Sequence, residues 1–231
     1  MKIEVCLTPE LIGQHHLAGK IAVVTDIFRA TSCIVSGLAH GVALIQPVST
    51  VEETLKMGKT GFIMAGERGG IKVEGFDIGN SPFEYMDDEL IGRKVAISTT
   101  NGSQAILKSG TADEILIGAF LNLGATVDYL NEQQKDVLVH CAGWKGTPSL
   151  EDTLFAGAVV EKLQAEPVND AAYMAKELYS SKKADLLSAG KASGHAARLS
   201  SFGVQKDIAY CLSMDLLPIR VRQEAGGLVS F

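Results

Sequence analysis

Short apolar runs rich in Val and Ile recur along the chain, each bounded by Gly, Asp or Thr, and this pattern is typical of buried β-strands. The predicted strands are residues 3–7, 21–25, 43–48, 62–65, 95–98, 115–118, 137–141 and 217–221. Helical spacing of apolar positions lies between most of them, at residues 31–40, 51–57, 103–108 and 123–134. The alternation predicts a three-layer α/β fold, with a mostly parallel or mixed sheet and helices on both faces.

The chain from residue 151 onward is predicted to be mainly helical. Its predicted helices are residues 152–165, 169–179, 184–189, 195–201 and 205–211. Residues 19–26 and 92–99 are similar in sequence, which fits either an internal duplication with sub-lobes 1–91 and 92–231 or the ordinary likeness of α/β units. Because no flexible linker is apparent, residues 1–231 are expected to form a single compact domain.

Composition and charge narrow the class of protein. The 231 residues include 21 Lys and Arg against 27 Asp and Glu, a net charge of −6, so nucleic acid is not an expected partner. No signal-peptide pattern or membrane-length apolar run is present, and the four cysteines form no C-x-x-C pair. We therefore expect a cytoplasmic protein without a membrane partner, and α/β enzymes of this size are often homodimers.

A glycine-rich segment at residues 66–82 has no periodicity of its own, which is commonly a sign of function. Glu67, Glu74 and Asp77 within it supply the hard oxygen ligands that Mg²⁺ prefers, and Arg68 supplies positive charge for an anion. The alternative interpretation is a surface loop with solvated charges.

Two predicted strand ends carry polar residues into the start of a helix. The first places Asp26, Arg29, Thr31 and Ser32 where an anion and a metal ion would meet, although Asp26 or Thr31 as a helix cap is the simpler alternative. The second provides hydroxyl, amide and glycine groups that suit an oxyanion. Its residues are Thr99, Thr100, Asn101 and Gly102.

A third strand end leads to Cys141, followed by Lys145 and Asp152. A cysteine phosphatase is disfavoured because the position that needs arginine is Thr147. No Walker A motif and no dinucleotide-binding fingerprint is present. Lys145 remains a candidate anion contact, and Asp152 is either a catalytic carboxylate or an acidic residue favoured at a helix start.

These segments together resemble the 2-phosphosulfolactate phosphatase family, Mg²⁺-dependent phosphohydrolases of coenzyme M biosynthesis. The likeness covers residues 24–32, 66–70, 74–82, 99–102, 141–143 and 149–153, and a tail that includes His195. Phe28 and Ser32 are small departures from the family pattern. The resemblance implies hydrolysis of a small phosphoester, 2-phospho-3-sulfolactate, to 3-sulfolactate and phosphate.

The resemblance also implies roles for the polar residues. Asp26, Glu67, Asp77 and Glu74 would hold Mg²⁺, and Arg29, Arg68, Thr31 and Ser32 would bind phosphate. Thr99, Thr100, Asn101, Gly102 and Lys145 would orient the sulfonate or carboxylate, with Asp26 and Asp152 as catalytic groups. A covalent aspartyl phosphate and direct attack by water both remain open, as do another phosphorylated 2-hydroxy acid as substrate and a non-catalytic metabolite-binding module.

Overall fold

The predicted α/β class is confirmed by the structure, a computed structural model that describes residues 1–200 and 202–231. Its strands are β1 (Lys2–Cys6), β2 (Lys20–Thr25), β3 (Leu44–Pro47), β4 (Ile63–Arg68), β5 (Ile71–Lys72), β6 (Lys94–Ser98), β7 (Glu114–Ile117), β8 (Asp136–Cys141), β9 (Glu166–Pro167), β10 (Val221–Glu224) and β11 (Gly227–Ser230). Its helices are α1 (Ala30–Ala39), α2 (Val51–Gly58), α3 (Pro82–Tyr85), α4 (Gly102–Lys108), α5 (Leu123–Gln133), α6 (Leu150–Lys162), α7 (Asp170–Lys182), α8 (Leu186–Lys191), α9 (Gly194–Ser200) and α10 (Gln205–Cys211).

The strands form one mixed sheet in the order β5-β4-β6-β3-β11-β10-β7-β2-β8-β1-β9. The position of strand β2 in the sheet explains its apolar run. Ile21–Val24 are fully buried, and the strand lies between β7 and β8. A strand in the middle of a sheet covered on both faces has no solvent side, so polar alternation is absent.

The two similar stretches of sequence exchange strands within this sheet. Strand β6 lies between β4 and β3, with Ile97 opposite Ala65 and Pro47. Strand β2 lies between β8 and β7, and Val24 pairs in the same way with His140 and Ile117. Residues 1–91 and 92–231 therefore share one sheet. Strand β2 of the first part lies between two strands of the second, and β6 of the second part lies between two strands of the first.

A hairpin of β10 and β11 joins the two parallel groups of strands. The predicted strand at residues 217–221 is wrong in position, because the strand begins only at Val221 and a second one follows from Gly227. Pro218, which has no backbone N–H to donate, lies in the irregular segment before it. The hairpin is antiparallel to β7 through Arg222 and to β3 through Leu228.

The segment at residues 66–82 is more ordered than a long loop. Strand β4 continues to Arg68 and turns back through Gly69 and Gly70, both with positive φ, into β5. Ile78 then bridges to Ala65, and helix α3 begins at Pro82. Gly69 and Gly70 therefore serve a hairpin turn at the edge of the sheet.

The predicted helices are present, with ends that shift by a few residues. Helix α6 begins at Leu150 instead of residue 152, and the last residue of the predicted helix 195–201 lies outside the described residues. Among the described helices, none combines the length and apolar character needed to cross a membrane.

The segments that follow strands β2 and β6 meet, although the two strands are distant in the sheet. Three antiparallel steps separate β3 from β7, so the two parallel groups run in opposite directions. A Cβ atom at Gly102, after β6, would nevertheless lie 2.7 Å from Asp26 Oδ2, after β2.

Candidate active site

A narrow cleft lies where the segments after β2, β4, β6 and β8 meet helix α9. The residues that line it are Asp26, Phe28, Arg29, Glu67, Gly70, Asn80, Asn101, Trp144, His195 and Leu199. Each of these four parts of the chain contributes at least one polar or aromatic side chain to the cleft. The cleft therefore matches the expectation that ligands bind outside the carboxyl ends of strands in open α/β sheets.

Asp26 is the most perturbed acid that lines the cleft. It is only 6% exposed, and its backbone is fixed by Thr31, whose hydroxyl accepts from Asp26 N and donates to Asp26 O, both at 3.0 Å. Burial raises the pKa of Asp26 to about 6, with Glu67 and Glu151 adding to the increase and His195 opposing it. The fold thus holds a carboxylate in a place where ionisation is costly without a nearby cation.

Arg29 supplies the positive charge of the cleft. Its guanidinium forms a buried ion pair with Asp207, in α10, and approaches the carbonyl oxygen of Gly70 at 3.5 Å. The peptide bond that precedes Arg29 is cis. Sequence distance hides this pairing, because Asp207 is 178 residues away.

Glu67 connects the β4–β5 hairpin with the segment after β6. One carboxylate oxygen accepts from Gly70 N at 2.6 Å, and the other accepts from Thr100 N at 2.8 Å. Arg68 points along β6 instead, where it donates to the Ser98 carbonyl at 3.0 Å and to the Ser98 hydroxyl at 2.8 Å. Glu67 therefore lies in the cleft, whereas Arg68 fastens two strand ends.

The residues after β6 make room for Asp26. Thr99 and Ser103 exchange backbone-to-hydroxyl hydrogen bonds of 3.0 and 3.1 Å. A Cβ atom at Gly102 would lie 2.7 Å from Asp26 Oδ2 and 2.6 Å from Ala30 Cβ, so only glycine fits. Asn101 faces the cleft and accepts from Lys145 N at 3.3 Å.

Two neighbouring acids at the start of α6 have different tasks. Asp152 accepts from Ile27 N at 2.8 Å and from Gly143 N at 3.0 Å, which ties the segments after β2 and β8 together. Burial, with the Glu151 and Asp26 carboxylates nearby, raises the pKa of Asp152 well above its ordinary value. Glu151, 1% exposed, contacts His195 Nδ1 at 2.9 Å. Of the two acids, Glu151 contacts a residue that lines the cleft, His195, whereas Asp152 joins two backbone segments.

The cleft also fits a hard divalent cation. Asp26 and Glu67 line it beside Asn80, whose buried Oδ1 has no hydrogen-bond partner within the described residues. No set of three or more His, Cys, Asp or Glu side chains with metal-binding proximity exists in residues 1–200 and 202–231. Mg²⁺ commonly takes one or two carboxylates, water and substrate phosphate instead of a complete protein cage, so this donor set is suitable for it.

The sequence places the chain among known proteins. The sequence model of the 2-phosphosulpholactate phosphatase family matches residues 6–225. The chain belongs to this family. Membership in the 2-phosphosulpholactate phosphatase family confirms the resemblance seen in the motifs, and with it the class of phosphoric monoester hydrolases.

Curated relatives agree over almost the full length. A probable 2-phosphosulfolactate phosphatase of Thermotoga petrophila is 43% identical over 197 residues, covering 85% of this chain and 86% of the relative. One from Caldanaerobacter subterraneus is 36% identical, covering 90% and 89%. One from Gloeobacter violaceus is 36% identical, covering 99% and 98%.

Four of the residues singled out in the sequence line the cleft, namely Asp26, Arg29, Glu67 and Asn101. The structure places the hydroxyls of Thr31, Ser32 and Thr99 in local hydrogen bonds, and Thr100 reaches the site through its backbone N–H. Lys145 lies at the rim, with its Nζ 5.4 Å from the centroid of the Trp144 ring.

The expected carboxylate set for the metal is not brought together. Asp77 is exposed and accepts from Met64 N at 2.7 Å, in a separate cleft with Arg93. Glu74 is exposed on the same segment. Asp152 lies behind the cleft as a brace. The resemblance grouped Glu74 and Asp77 with Asp26 and Glu67, but neither lines the cleft, to which the segment after the β4–β5 hairpin contributes Asn80 instead.

Several residues at the cleft had no role predicted from the sequence. Asn80, Trp144 and His195 line the cleft, and Glu151 and Asp207 each pair with a residue that lines it. In the sequence, His195 stood only within the tail that resembles the family, and Glu151 only within the matching residues 149–153. The signal for both is a pairing across 44 residues, which local patterns do not contain.

Proposed function

We propose that this protein hydrolyses 2-phospho-3-sulfolactate to 3-sulfolactate and inorganic phosphate in a Mg²⁺-dependent reaction. The observation that carries the proposal is the buried Asp26 carboxylate beside Glu67 and Arg29 in one cleft, in a chain that belongs to the 2-phosphosulpholactate phosphatase family. A cleft with fixed positive and negative groups suits a substrate that brings both a phosphoryl group and a metal ion.

Arg29 is the proposed phosphate clamp. Asp207 and Gly70 occupy part of its guanidinium and fix its plane, and the remaining N–H donors, which have no hydrogen-bond partner within residues 1–200 and 202–231, are proposed to meet phosphoryl oxygens in the cleft. Arginine suits this task because it presents several N–H donors in a rigid fork. The buried ion pair with Asp207 sets the direction of that fork before substrate arrives.

Asp26, Glu67 and Asn80 are the proposed metal ligands, in place of the set that included Glu74 and Asp77. When bound, Mg²⁺ neutralises charge on the phosphoryl oxygens and lowers the pKa of a bound water. The same positive charge would remove the penalty that raises the pKa of Asp26. Asp26 would then be ionised at neutral pH and ready to act on phosphorus or on water.

Two routes use the same Asp26 carboxylate. In one it attacks phosphorus and forms an aspartyl phosphate, which water then hydrolyses. In the other it accepts the proton of a water that attacks phosphorus directly. Borohydride reduction during turnover distinguishes them, since an aspartyl phosphate at Asp26 is converted to homoserine and is detected by peptide mass spectrometry.

The acidic groups of the substrate need their own contacts. Asn101 faces the cleft, and Lys145 lies on the adjacent rim against Trp144. These groups supply an amide and a cation on the side formed by the segments after β6 and β8. We assign the sulfonate and carboxylate to this side.

The metal assignment is tested by two matched variants. Glu67→Gln removes a charge that lines the cleft, whereas Glu74→Gln removes one from an exposed position of the same segment. We expect the Mg²⁺ concentration for half-maximal activity to rise at least about 10-fold in the first variant and to stay unchanged in the second. Equal effects in both, or activity that persists in EDTA, would contradict the assignment.

The substrate is tested by phosphate release from a panel of small phosphoesters with Mg²⁺. We expect the highest kcat/KM for 2-phospho-3-sulfolactate and a lower value for 2-phospholactate, which lacks the sulfonate. A preference for 2-phospholactate would indicate another phosphorylated 2-hydroxy acid as substrate. Tight binding of 2-phospho-3-sulfolactate without phosphate release would indicate a binding module.

A further inference from the structure

His195 and Glu151 form a buried pair at the wall of the cleft. His195 Nδ1 lies 2.9 Å from Glu151 Oε1, with 10% of the histidine side chain and 1% of the glutamate side chain exposed. Because Nδ1 faces the carboxylate, Nε2 is on the opposite side of a ring that itself lines the cleft. This is the arrangement by which a carboxylate selects the tautomer and orientation of a histidine.

Two aromatic rings hold the imidazole in place. Phe28 meets it edge-on at 6.1 Å between centroids, and Trp144 lies at 5.1 Å with a tilt of 44°. Phe28 belongs to the segment after β2 and Trp144 to the segment after β8, so the ring is clamped between the parts that form the cleft. The contacts fix the ring beyond what one hydrogen bond to Glu151 would achieve.

The proposed reaction leaves one chemical demand unassigned. The ester oxygen of a 2-hydroxy acid phosphate leaves as an alkoxide, a poor leaving group that needs a proton as the P–O bond breaks. The other ionisable groups that line the cleft are Asp26, Glu67 and Arg29. The two acids are already engaged in the metal and phosphorus chemistry proposed above, and arginine does not release its proton.

We propose that His195 Nε2–H donates a proton to the ester oxygen, and that Glu151 positions the imidazole and stabilises its protonated form. The electron pair of the breaking P–O bond goes to the ester oxygen, which takes the Nε2 proton and leaves as the alcohol. Water provides the new oxygen on phosphorus. The proton it loses restores the imidazolium, either directly when water hydrolyses an aspartyl phosphate or by way of Asp26 when water attacks phosphorus itself. The inference rests on the proposed phosphatase function and adds the residue that serves its leaving group.

His195→Asn is the first variant, because its amide can still donate toward Glu151 while nothing replaces Nε2. We expect kcat for 2-phospho-3-sulfolactate to fall by on the order of 100-fold or more, with the Mg²⁺ dependence and the melting temperature little changed. His195→Gln is a second variant in case the first does not fold. If the wild-type protein does not hydrolyse the ester at all, the proposed function fails before this step is reached.

The deciding readout is the kinetic isotope effect of ¹⁸O in the ester bridge. Protonation by His195 compensates for loss of bonding to phosphorus, so the effect should be small in the wild-type protein and larger in His195→Asn. Arg29→Lys is the matched control, since it slows the reaction through the phosphate and keeps the proton donor. An isotope effect that is equal in His195→Asn and Arg29→Lys would overturn the proposal.

Glu151 is tested as a positioning residue. We expect Glu151→Gln to lower kcat by about 10-fold and to increase the bridge isotope effect in the same direction as His195→Asn. The double variant should be no slower than His195→Asn alone, because both substitutions remove one function. Two results together would contradict the proposed pair and leave Glu151 a structural role only. The losses of kcat in the single variants would multiply in the double variant, and Glu151→Gln would show the wild-type isotope effect.

Discussion

The segments after β2 and β6 occupy equivalent places in the two strand-exchanged halves, yet they contribute different chemistry. In both segments the backbone N–H of the first residue donates to a hydroxyl four or five residues later. Asp26 N donates to the Thr31 hydroxyl, and Thr99 N donates to the Ser103 hydroxyl. The segment after β2, which we call the Asp26 turn (residues 26–29), carries a carboxylate and a guanidinium into the cleft. The Thr99 turn (residues 99–102) brings a neutral amide and a glycine.

The difference shows how one backbone arrangement yields an asymmetric site. If both turns carried acids, two carboxylates would face each other across a buried gap, and each would raise the pKa of the other. The Thr99 turn instead offers its Thr100 N–H to Glu67 and gives space to Asp26 at Gly102. The Asp26 turn therefore supplies charged side chains. The Thr99 turn supplies a backbone N–H donor for Glu67 and the space that Asp26 occupies.

A large loss of rate is expected from a substitution where the two turns touch. Gly102→Ala adds a Cβ that would lie 2.7 Å from Asp26 Oδ2, so Asp26 must move. We expect kcat/KM to fall at least about 100-fold, since small displacements of reacting groups cost that much. Gly13→Ala, at a position with nothing within 4 Å, is the control and should leave the rate unchanged. Equal rates for the two variants would mean that the close approach has no catalytic importance.

A second effect concerns stability in EDTA. The folded protein raises the pKa of Asp26 from 3.8 to about 6, so the stabilising contribution of its protonated form is full below about pH 4 and is lost as pH rises to 6. Asp26→Asn cannot ionise. Its free energy of unfolding should equal that of the wild type near pH 4 and exceed it by roughly 2–3 kcal/mol above pH 6. Urea titrations across this range measure the difference, and an Asp26→Asn protein that is less stable at pH 7 would contradict it.

The smallest effect should come from the Thr99 turn. Thr99→Val keeps the shape of the side chain but leaves the buried Ser103 N–H without its acceptor. We expect a loss of about 1–2 kcal/mol in unfolding free energy, with kcat changed by less than about 3-fold because Thr99 does not line the cleft. A large loss of kcat at unchanged stability would instead make the two turns chemically alike.

The fold was largely predictable because its strands are buried on both faces. The apolar run of β2 is recognisable without its partner strands, whereas β10 and β11 are only four residues long each and contain no apolar run longer than two residues. An apolar stretch just before them drew the predicted strand to residues 217–221. Strand exchange leaves no local signature, because it depends on which strands pair over long distances.

Charge identified only part of the site. Asp26, Arg29 and Glu67 were predicted as charged site residues and line the cleft, whereas Arg68, Asp77 and Asp152 were predicted in the same way and do not. The sequence did not distinguish hydroxyls that bind a ligand from hydroxyls that bind the protein backbone, because a Thr or Ser at a helix start has the same sequence pattern in both cases. The pair of Glu151 and His195 could not be predicted from the sequence, because the two residues are 44 positions apart and only the fold brings them into contact.

The most direct test of the central claim is phosphate release from 2-phospho-3-sulfolactate by the wild-type protein and by Asp26→Asn, measured in parallel at saturating Mg²⁺. We predict Mg²⁺-dependent turnover in the wild type and a kcat lower by at least about 1000-fold in Asp26→Asn, with the variant folded and at least as stable in EDTA. Comparable turnover by the two proteins would contradict the assignment of the catalytic carboxylate to the Asp26 turn.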